Sequence, residues 1–355
     1  MIKSLQENKK DEMSIKKLIY LLLCTLLSFN MVGCQKSTPI PETITKTYTL
    51  TKGINLSALE SRLKPHLFLN KDKTYSDIAE KGFDHIRLPV DFRNHCNKDG
   101  IISNSFYKRL DNIIKMANDS GLVVMLDFHG WYNFNVENGD DILFTNIWKN
   151  LAAHYKNHSA ETLIFELINE PHTTKGGDLD ANKLWNLQNN VIKEIREIDP
   201  LRTIVVAVPE WNGPWTLENY KQYDYENLIV AIHTYEPLDF THQGQLWAGK
   251  RNIKLELTNQ MLQGLQNQLV QITDFQSRTG CKVILNEFGL VTTGYISNED
   301  VSRYLSFITK YAKEHNIPWT YWAYSDSFGA YDRGFLGIGG GWRQNVLEAL
   351  MNTDK

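Results

Sequence analysis

Two carboxylates stand out for the way the chain presents them. Residues 163–171 read LIFELINEP, a short apolar run that delivers Asn169–Glu170 and is stopped by Pro171, which lacks a backbone donor. Residues 283–289, VILNEFG, repeat the design with Asn286–Glu287, and Gly289 permits a tight exit. Two carboxyl groups carried to the same ends of two separate strands suit chemistry in which one is kept protonated and the other ionised. Everything else in the chain can be read as positioning them.

Groups that must converge need a repeating scaffold. From residue 51 onward apolar runs alternate with stretches of helical periodicity, the pattern of βα units around a parallel sheet. Strands are expected at 53–57, 85–90, 123–128, 163–168, 203–208, 228–233, 283–288 and 319–322. Helices are expected at 75–81, 106–120, 145–157, 182–198, 255–276 and 300–316; Phe106, Leu110, Ile113, Ile114 and Ala117 form one such apolar face. This order predicts an α/β fold, a (β/α)8 TIM barrel, as a single catalytic domain over 51–355, with its site at the carboxyl ends of the strands.

Those strand ends carry chemistry. The second ends in Arg87, the third in Asp127, His129 and Trp131, the sixth in His233 and Tyr235, and the eighth in Trp322. Each alone has a commoner structural explanation, as a salt-bridge partner, a satisfied polar residue or core. Asp127 shares the face of His129 one layer deeper and is expected to be a buried hydrogen-bonding support. What counts is that all gather at one end.

Together these residues resemble glycoside hydrolase family 5, the family of retaining β-glycanases that includes many cellulases. The resemblance runs over residues 51–350 and rests on motifs in six strands. It implies Glu170 as acid/base with Asn169 beside it, Glu287 as nucleophile, and Arg87, His129, His233, Tyr235 and Trp322 as supports. The physical roles agree. Glu170 must be protonated to donate to the departing oxygen, and Glu287 must stay ionised to attack the anomeric carbon, with Arg87 and Tyr235 as donors to hold it so. His233 can orient Glu170 or the incoming water, Asn169 can donate to the sugar 2-OH, His129 can bind a hydroxyl, and Trp322 offers a platform for a pyranose face. A retaining mechanism requires carboxyl groups about 5–5.5 Å apart. No cofactor and no metal are called for.

The loops after the strands read as a glycan cleft. Trp131, Tyr132, Trp211, Trp215, Trp247 and Tyr324 fall near carboxyl strand ends, where flat rings can stack on sugars; Trp131, Trp211, Trp247 and Tyr324 are the expected substrate contacts. Glu210, Asn212, Asp326 and Asp332 are candidate partners for sugar hydroxyls, though for any single one of them a solvated loop residue is the preferred reading. The glycines from 337 to 341 do not stand between a strand and a helix as G-x-G-x-x-G does, so they are expected to make a turn leading into a final helix over 342–351 rather than a phosphate cradle. The long loop at 237–254 favours an open cleft and endo action.

The amino end is an address. Lys16 and Lys17 precede an apolar run over 18–29, too short to span a bilayer, and Gly33-Cys34 follow as in the lipobox of bacterial lipoproteins, with Met31 where Leu is usual. The expectation is a signal peptide at 1–33, acylation at Cys34, a polar tether at 34–50, and an exported protein held to a membrane only by its lipid; a plain secretory signal is the alternative, and Met13 is an alternative start. A net charge of −3 with no basic tract argues against a nucleic-acid partner. Cys96 and Cys281 fall at opposite barrel ends and are expected unpaired. The expected partner is a β-glucan or related plant polysaccharide and the expected state a monomer. The first reading is an endo-β-1,4-glucanase; β-mannan, xyloglucan and β-1,3-glucan are alternative substrates of the same mechanism. A non-catalytic glycan-binding lipoprotein would be expected to have lost a carboxylate. A metal-dependent hydrolase built on Asp127, His129, His233 and Glu287 lacks ligand spacing and leaves Asn169–Pro171 without a role.

Overall fold

The computed structural model describes residues 50–60, 67–174, 176–335 and 338–352. The expected signal peptide, Cys34 and the tether up to residue 49 lie outside the described residues. Eight parallel strands close in chain order into a barrel: β1 (Lys52–Asn55), β2 (His85–Val90), β3 (Val123–Phe128), β4 (Leu163–Glu166), β5 (Ile204–Val206), β6 (Leu228–Thr234), β7 (Val283–Phe288) and β8 (Trp319–Tyr321). β1 pairs with both β2 and β8, which closes the ring.

The barrel arises from a two-residue alternation in which one face meets the helices and the other the axis. In β2, Ile86, Leu88 and Val90 join the core under the helices, so Arg87 between them points to the axis. In β3, Val124, Leu126 and Phe128 do the same, while Met125 packs inside the barrel with Ile164, Val205, Ala231 and Ile284. Asp127 and Glu166 stand one step above Met125 and Ile164 on those strands, and so project inward too.

The outer layer contains α1 (Asp72–Glu80), α2 (Asn104–Asp119), α3 (Asp140–Tyr155), α4 (Ala181–Ile198), α5 (Asn259–Thr279), α6 (Asn298–Glu314) and α7 (Gln344–Met351). In α2 the Ser103 hydroxyl accepts from the Phe106 N–H, and Phe106, Leu110, Ile113, Ile114 and Ala117 are buried. Truncating any of the larger ones to Ala would cost about 2–5 kcal/mol. α3 starts at Asp140, earlier than expected, because Gly139 takes a left-handed turn and Asp140 and Asp141 favour the positive end of the helix. α5 starts only at Asn259, where Thr258 caps it by accepting from the Met261 N–H, so 255–258 is not helical. β4 and β5 are shorter than expected at their carboxyl ends.

The glycine cluster is corrected. Instead of a simple turn, β9 (Tyr331–Phe335) and β10 (Ile338–Trp342) form an antiparallel hairpin, and α7 begins at Gln344. Tyr331 pairs with Trp342 in that ladder, and Trp342 stacks on Phe83, so aromatic packing holds a pair that glycines alone would leave weak. Cys96 and Cys281 are free, half-buried thiols.

Candidate active site

Arg87 is the hub of the axis-facing groups. Its Nε and Nη2 donate to the two oxygens of Glu166 at 2.7 and 2.8 Å. Nη1 donates to Glu287 at 2.5 Å and to Asn55 at 3.0 Å, and Nη2 reaches Asn169 Oδ1 at 2.8 Å and Asp127 at 2.9 Å. Burial disfavours this charge, but Asp127, Glu166 and Glu287 outweigh it and hold the guanidinium protonated. Three carboxylates around one cation are more than it neutralises. Burial raises Asp127 to about 7 against the pull of Arg87.

Glu287 is aimed by a break in the strand rhythm. Strict alternation would send it outward with Val283 and Leu285, which lie in the outer core. The β6–β7 register instead pairs Ile232 with Leu285 and then His233 with Glu287, so one extra residue is inserted and both Asn286 and Glu287 turn inward. Asn286 donates to Glu166 at 2.9 Å. Tyr235 donates to Glu287 at 2.9 Å.

Glu170 is delivered differently. Past the end of β4 the N–H of Leu167 still bonds Val205 O and that of Asn169 bonds Phe128 O, so the chain stays extended to Asn169. Glu170 then takes a left-handed conformation (φ 47°) before Pro171, which throws its side chain over the barrel mouth. Its side chain is 18% exposed against 5% for Glu287. His233 Nδ1 lies 3.0 Å from Glu170 and 3.7 Å from Glu287. One oxygen of each carboxyl and a His233 ring nitrogen all lie within 4.8 Å of one another.

Burial raises the pKa of both carboxyls. Their donors separate them. Glu287 accepts from a cation and a phenol, both of which favour its ionised form, whereas Glu170 faces a neutral ring, since burial lowers His233 to about 4. These donors favour the ionised form more directly at Glu287 than at Glu170. Glu170, His233 and Glu287 have the chemistry to ligate a cation, but only if His233 Nδ1 gives up its hydrogen bond to Glu170.

The remaining supports converge on the same mouth. His129 bonds Asp127 through Nδ1 at 2.7 Å, placing Asp127 as the buried partner beneath it, and its Nε2 lies 3.4 Å from the Asn169 amide nitrogen. Because Asn169 Oδ1 is taken by Arg87, that amide keeps a second N–H for a substrate hydroxyl. Trp322 stacks on His129 with centroids 5.6 Å apart and is half-buried.

The aromatic candidates divide. Trp211 is half-buried and stacks on His172 at 3.8 Å; Tyr132, exposed, stands 6.4 Å beyond that histidine. Both rings meet at His172, which sequence reasoning passed over and whose Nδ1 lies 2.8 Å from the Glu170 carbonyl oxygen. Trp215 and Trp247 are exposed, Trp247 by 69%. Trp131 and Tyr324 are corrected. Trp131 is 7% exposed and packs on Phe128, Phe134 and Phe144; Tyr324 is 4% exposed and packs on Phe68, Tyr331 and Trp342, so both rings serve the core. The polar loop candidates all bond within the protein: Glu210 accepts from Thr173, Asp332 bonds Arg343 in the hairpin while staying exposed, Asp326 accepts the Phe328 N–H, and Asn212 alone is fully buried, behind His233. Glu166 and Asn55, which also donates to Asn286 O and Tyr321 O, went unassigned from sequence; the signal for Glu166 is one charge inside an apolar run.

A family model described as Cellulase (glycosyl hydrolase family 5) matches residues 46–328. Endoglucanase 3 of Fibrobacter succinogenes is 25% identical over 308 residues, covering 73% of this chain but only 46% of that protein. Cellodextrinase A of Ruminococcus flavefaciens is 27% identical over 294 residues, 77% of this chain and 84% of its own. The crystal structure of endoglucanase Cel5A from the hyperthermophile Thermotoga maritima superposes with a TM-score of 0.78 at 30% identity, covering 86% of this chain and 98% of that one. That enzyme has also been solved with cellobiose and with mannotriose.

Proposed function

The chain belongs to the cellulase family, glycosyl hydrolase family 5, and from that premise we propose that it is a retaining endo-β-1,4-glucanase acting by double displacement. One observation carries the stereochemical part: the carboxyl oxygens of Glu170 and Glu287 approach within 4.8 Å. That separation fits a nucleophile and an acid/base about 5–5.5 Å apart and leaves no room for the water that an inverting pair holds across about 6.5–9.5 Å. Glu287, ionised against Arg87 and Tyr235, attacks the anomeric carbon. Glu170 protonates the departing oxygen, then takes a proton from the water that releases the glycosyl-enzyme. Asn169 donates its free N–H to the 2-OH, and Trp322 lies under the sugar ring.

β-1,4-Glucan is supported as substrate by the endoglucanase and cellodextrinase relatives. β-Mannan is the second reading, supported by the mannotriose complex of the Thermotoga enzyme. The signal-like segment and Cys34 support export with a lipid anchor; mass spectrometry of the mature amino terminus tests that, and an unmodified terminus sinks it. The activity is tested by product release from β-glucan, β-mannan, xyloglucan and xylan, with Glu170→Gln and Glu287→Gln in parallel and the product anomer followed by NMR. Release of the β-anomer from β-glucan, abolished in both variants, is expected. Release of the α-anomer, or unchanged rates in either variant, overturns the mechanism.

A further inference from the structure

We infer that Asn212 is a positioning residue for the acid/base: its amide holds the His233 ring in the tautomer that carries its proton on Nδ1, so that the ring donates to Glu170. The link to catalysis rests on the role proposed above for Glu170; the tautomer does not.

Asn212 is fully buried, so its amide has no solvent to turn toward. The Val208 N–H donates to Asn212 Oδ1 at 3.2 Å, and Asn212 Nδ2 lies 3.3 Å from His233 Nε2. Rotating the amide would set its NH2 against the Val208 N–H, donor against donor, so the oxygen stays on the backbone and the nitrogen faces the ring. An amide nitrogen only donates, hence Nε2 must accept. A neutral imidazole with a lone pair on Nε2 bears its proton on Nδ1, the atom 3.0 Å from Glu170 Oε1. The other tautomer would oppose two donors at Asn212 and turn a lone pair toward a carboxyl oxygen.

The backbone is arranged to keep the amide there. Glu210, Trp211 and Asn212 are three successive non-glycine residues in the left-handed region (φ 51°, 66° and 56°), an unfavourable run that neighbours must hold. Two of its anchors belong to the segment carrying the acid/base: the Trp211 N–H donates to Pro171 O at 3.1 Å and the Thr173 hydroxyl to Glu210 at 2.7 Å. The loop after β5 and the segment after β4 therefore form one unit. With Oε1 accepting from His233, the proton of Glu170 resides on Oε2, free for the glycosidic oxygen. The same donor then stabilises the carboxylate left behind.

Three measurements test this. In 15N-histidine-labelled protein without substrate, the His233 resonances, assigned by their loss in His233→Asn, are expected to show the Nδ1–H pattern; an Nε2–H pattern overturns the inference whatever the activity. In Asn212→Asp a carboxylate oxygen meets Nε2 and draws a second proton onto the ring, so the alkaline limb of kcat/KM is expected to move down by about one pH unit. The other ionisable groups facing His233 and Glu170, namely Glu287, Glu166, Asp127, Arg87, His129, His172, Tyr132 and Tyr235, are unchanged in that variant and cannot produce the shift. In Asn212→Ala the ring is free to change tautomer. Its kcat/KM is expected to fall about tenfold on a glucan while holding on an activated aryl cellobioside, whose leaving group departs in the first step without a proton. Equal losses on both substrates, or a pH profile unmoved in Asn212→Asp, would mean that Asn212 is merely structural. An Nδ1–H ring in a protein that cleaves no glycan would instead overturn the proposed function and leave the tautomer assignment standing.

Discussion

Replacing Glu166 by Gln changes the shape of the site by nothing larger than one hydrogen-bearing atom, yet it should be among the more damaging substitutions in the barrel. Glu166 Oε1 accepts from Arg87 Nη2 and from Asn286 Nδ2, at 2.8 and 2.9 Å, while Oε2 accepts from Arg87 Nε at 2.7 Å. All three partners are donors. A glutamine has one oxygen for these two positions, so wherever it settles its NH2 faces at least one N–H in a dry interior. Breaking a buried ion pair in this way costs about 3–5 kcal/mol, and because Arg87 keeps Asp127 and Glu287 the lower end, about 3 kcal/mol, is expected. With an unfolding entropy of about 2.1 cal/mol/K per residue over roughly 300 residues, a loss of about 3 kcal/mol lowers the melting temperature by about 5 °C. A second signature accompanies it. The negative charge of Glu166 helps to raise the pKa of Glu170, which burial mainly raises, so its removal moves the alkaline limb of kcat/KM to lower pH. Thermal unfolding and a pH–rate profile on the same preparation read both effects. A melting temperature within 1 °C of the native protein with an unmoved alkaline limb would refute the account of Glu166 as partner to Arg87 and neighbour to the acid/base.

Tyr235→Phe removes one of the two donors that hold Glu287 ionised, and kcat should fall roughly tenfold or more, as for a hydrogen bond to a charged group, with little change in melting temperature. Across pH, kcat/KM should decline on the alkaline side as Glu170 loses its proton, at a pH above the usual glutamate value because burial raises it; a decline centred at that usual value would contradict the burial of the acid. Trp131→Ala should cost about 3–5 kcal/mol of stability with KM nearly unchanged, whereas Trp211→Ala should raise KM for longer oligosaccharides; the reverse pattern would return Trp131 to the cleft. Incubation with a chelator should leave the rate unchanged, and loss of activity restored by a divalent cation would reopen the metal-dependent reading of Glu170, His233 and Glu287.

The barrel was legible because its signals are local. An apolar run of strand length followed by a helical face repeats along the chain, and the chirality and closure of βα units leave few ways to assemble them. Asn169–Glu170 and Asn286–Glu287 were legible for the same reason, since each stands at the end of such a run. What escaped depends on partners remote in sequence. Nothing within VILNEFG announces that β7 slips by one residue against β6, yet without that slip Glu287 would face the helices beside Leu285. Trp131 and Tyr324 stand where cleft rings would stand, and only the arrival of Phe144 and of the β9–β10 hairpin turns them into core. Asn212 read as a solvated loop residue because three left-handed residues in succession are not written in EWN; contacts from Pro171 and Thr173, about forty residues earlier, hold the turn that carries it inward. The two carboxylates could thus be found from sequence while the devices that give them different protonation could not. Those devices, Arg87 with Tyr235 for one and His233 backed by Asn212 for the other, are each assembled from more than one strand end or loop and exist only once the ring is closed.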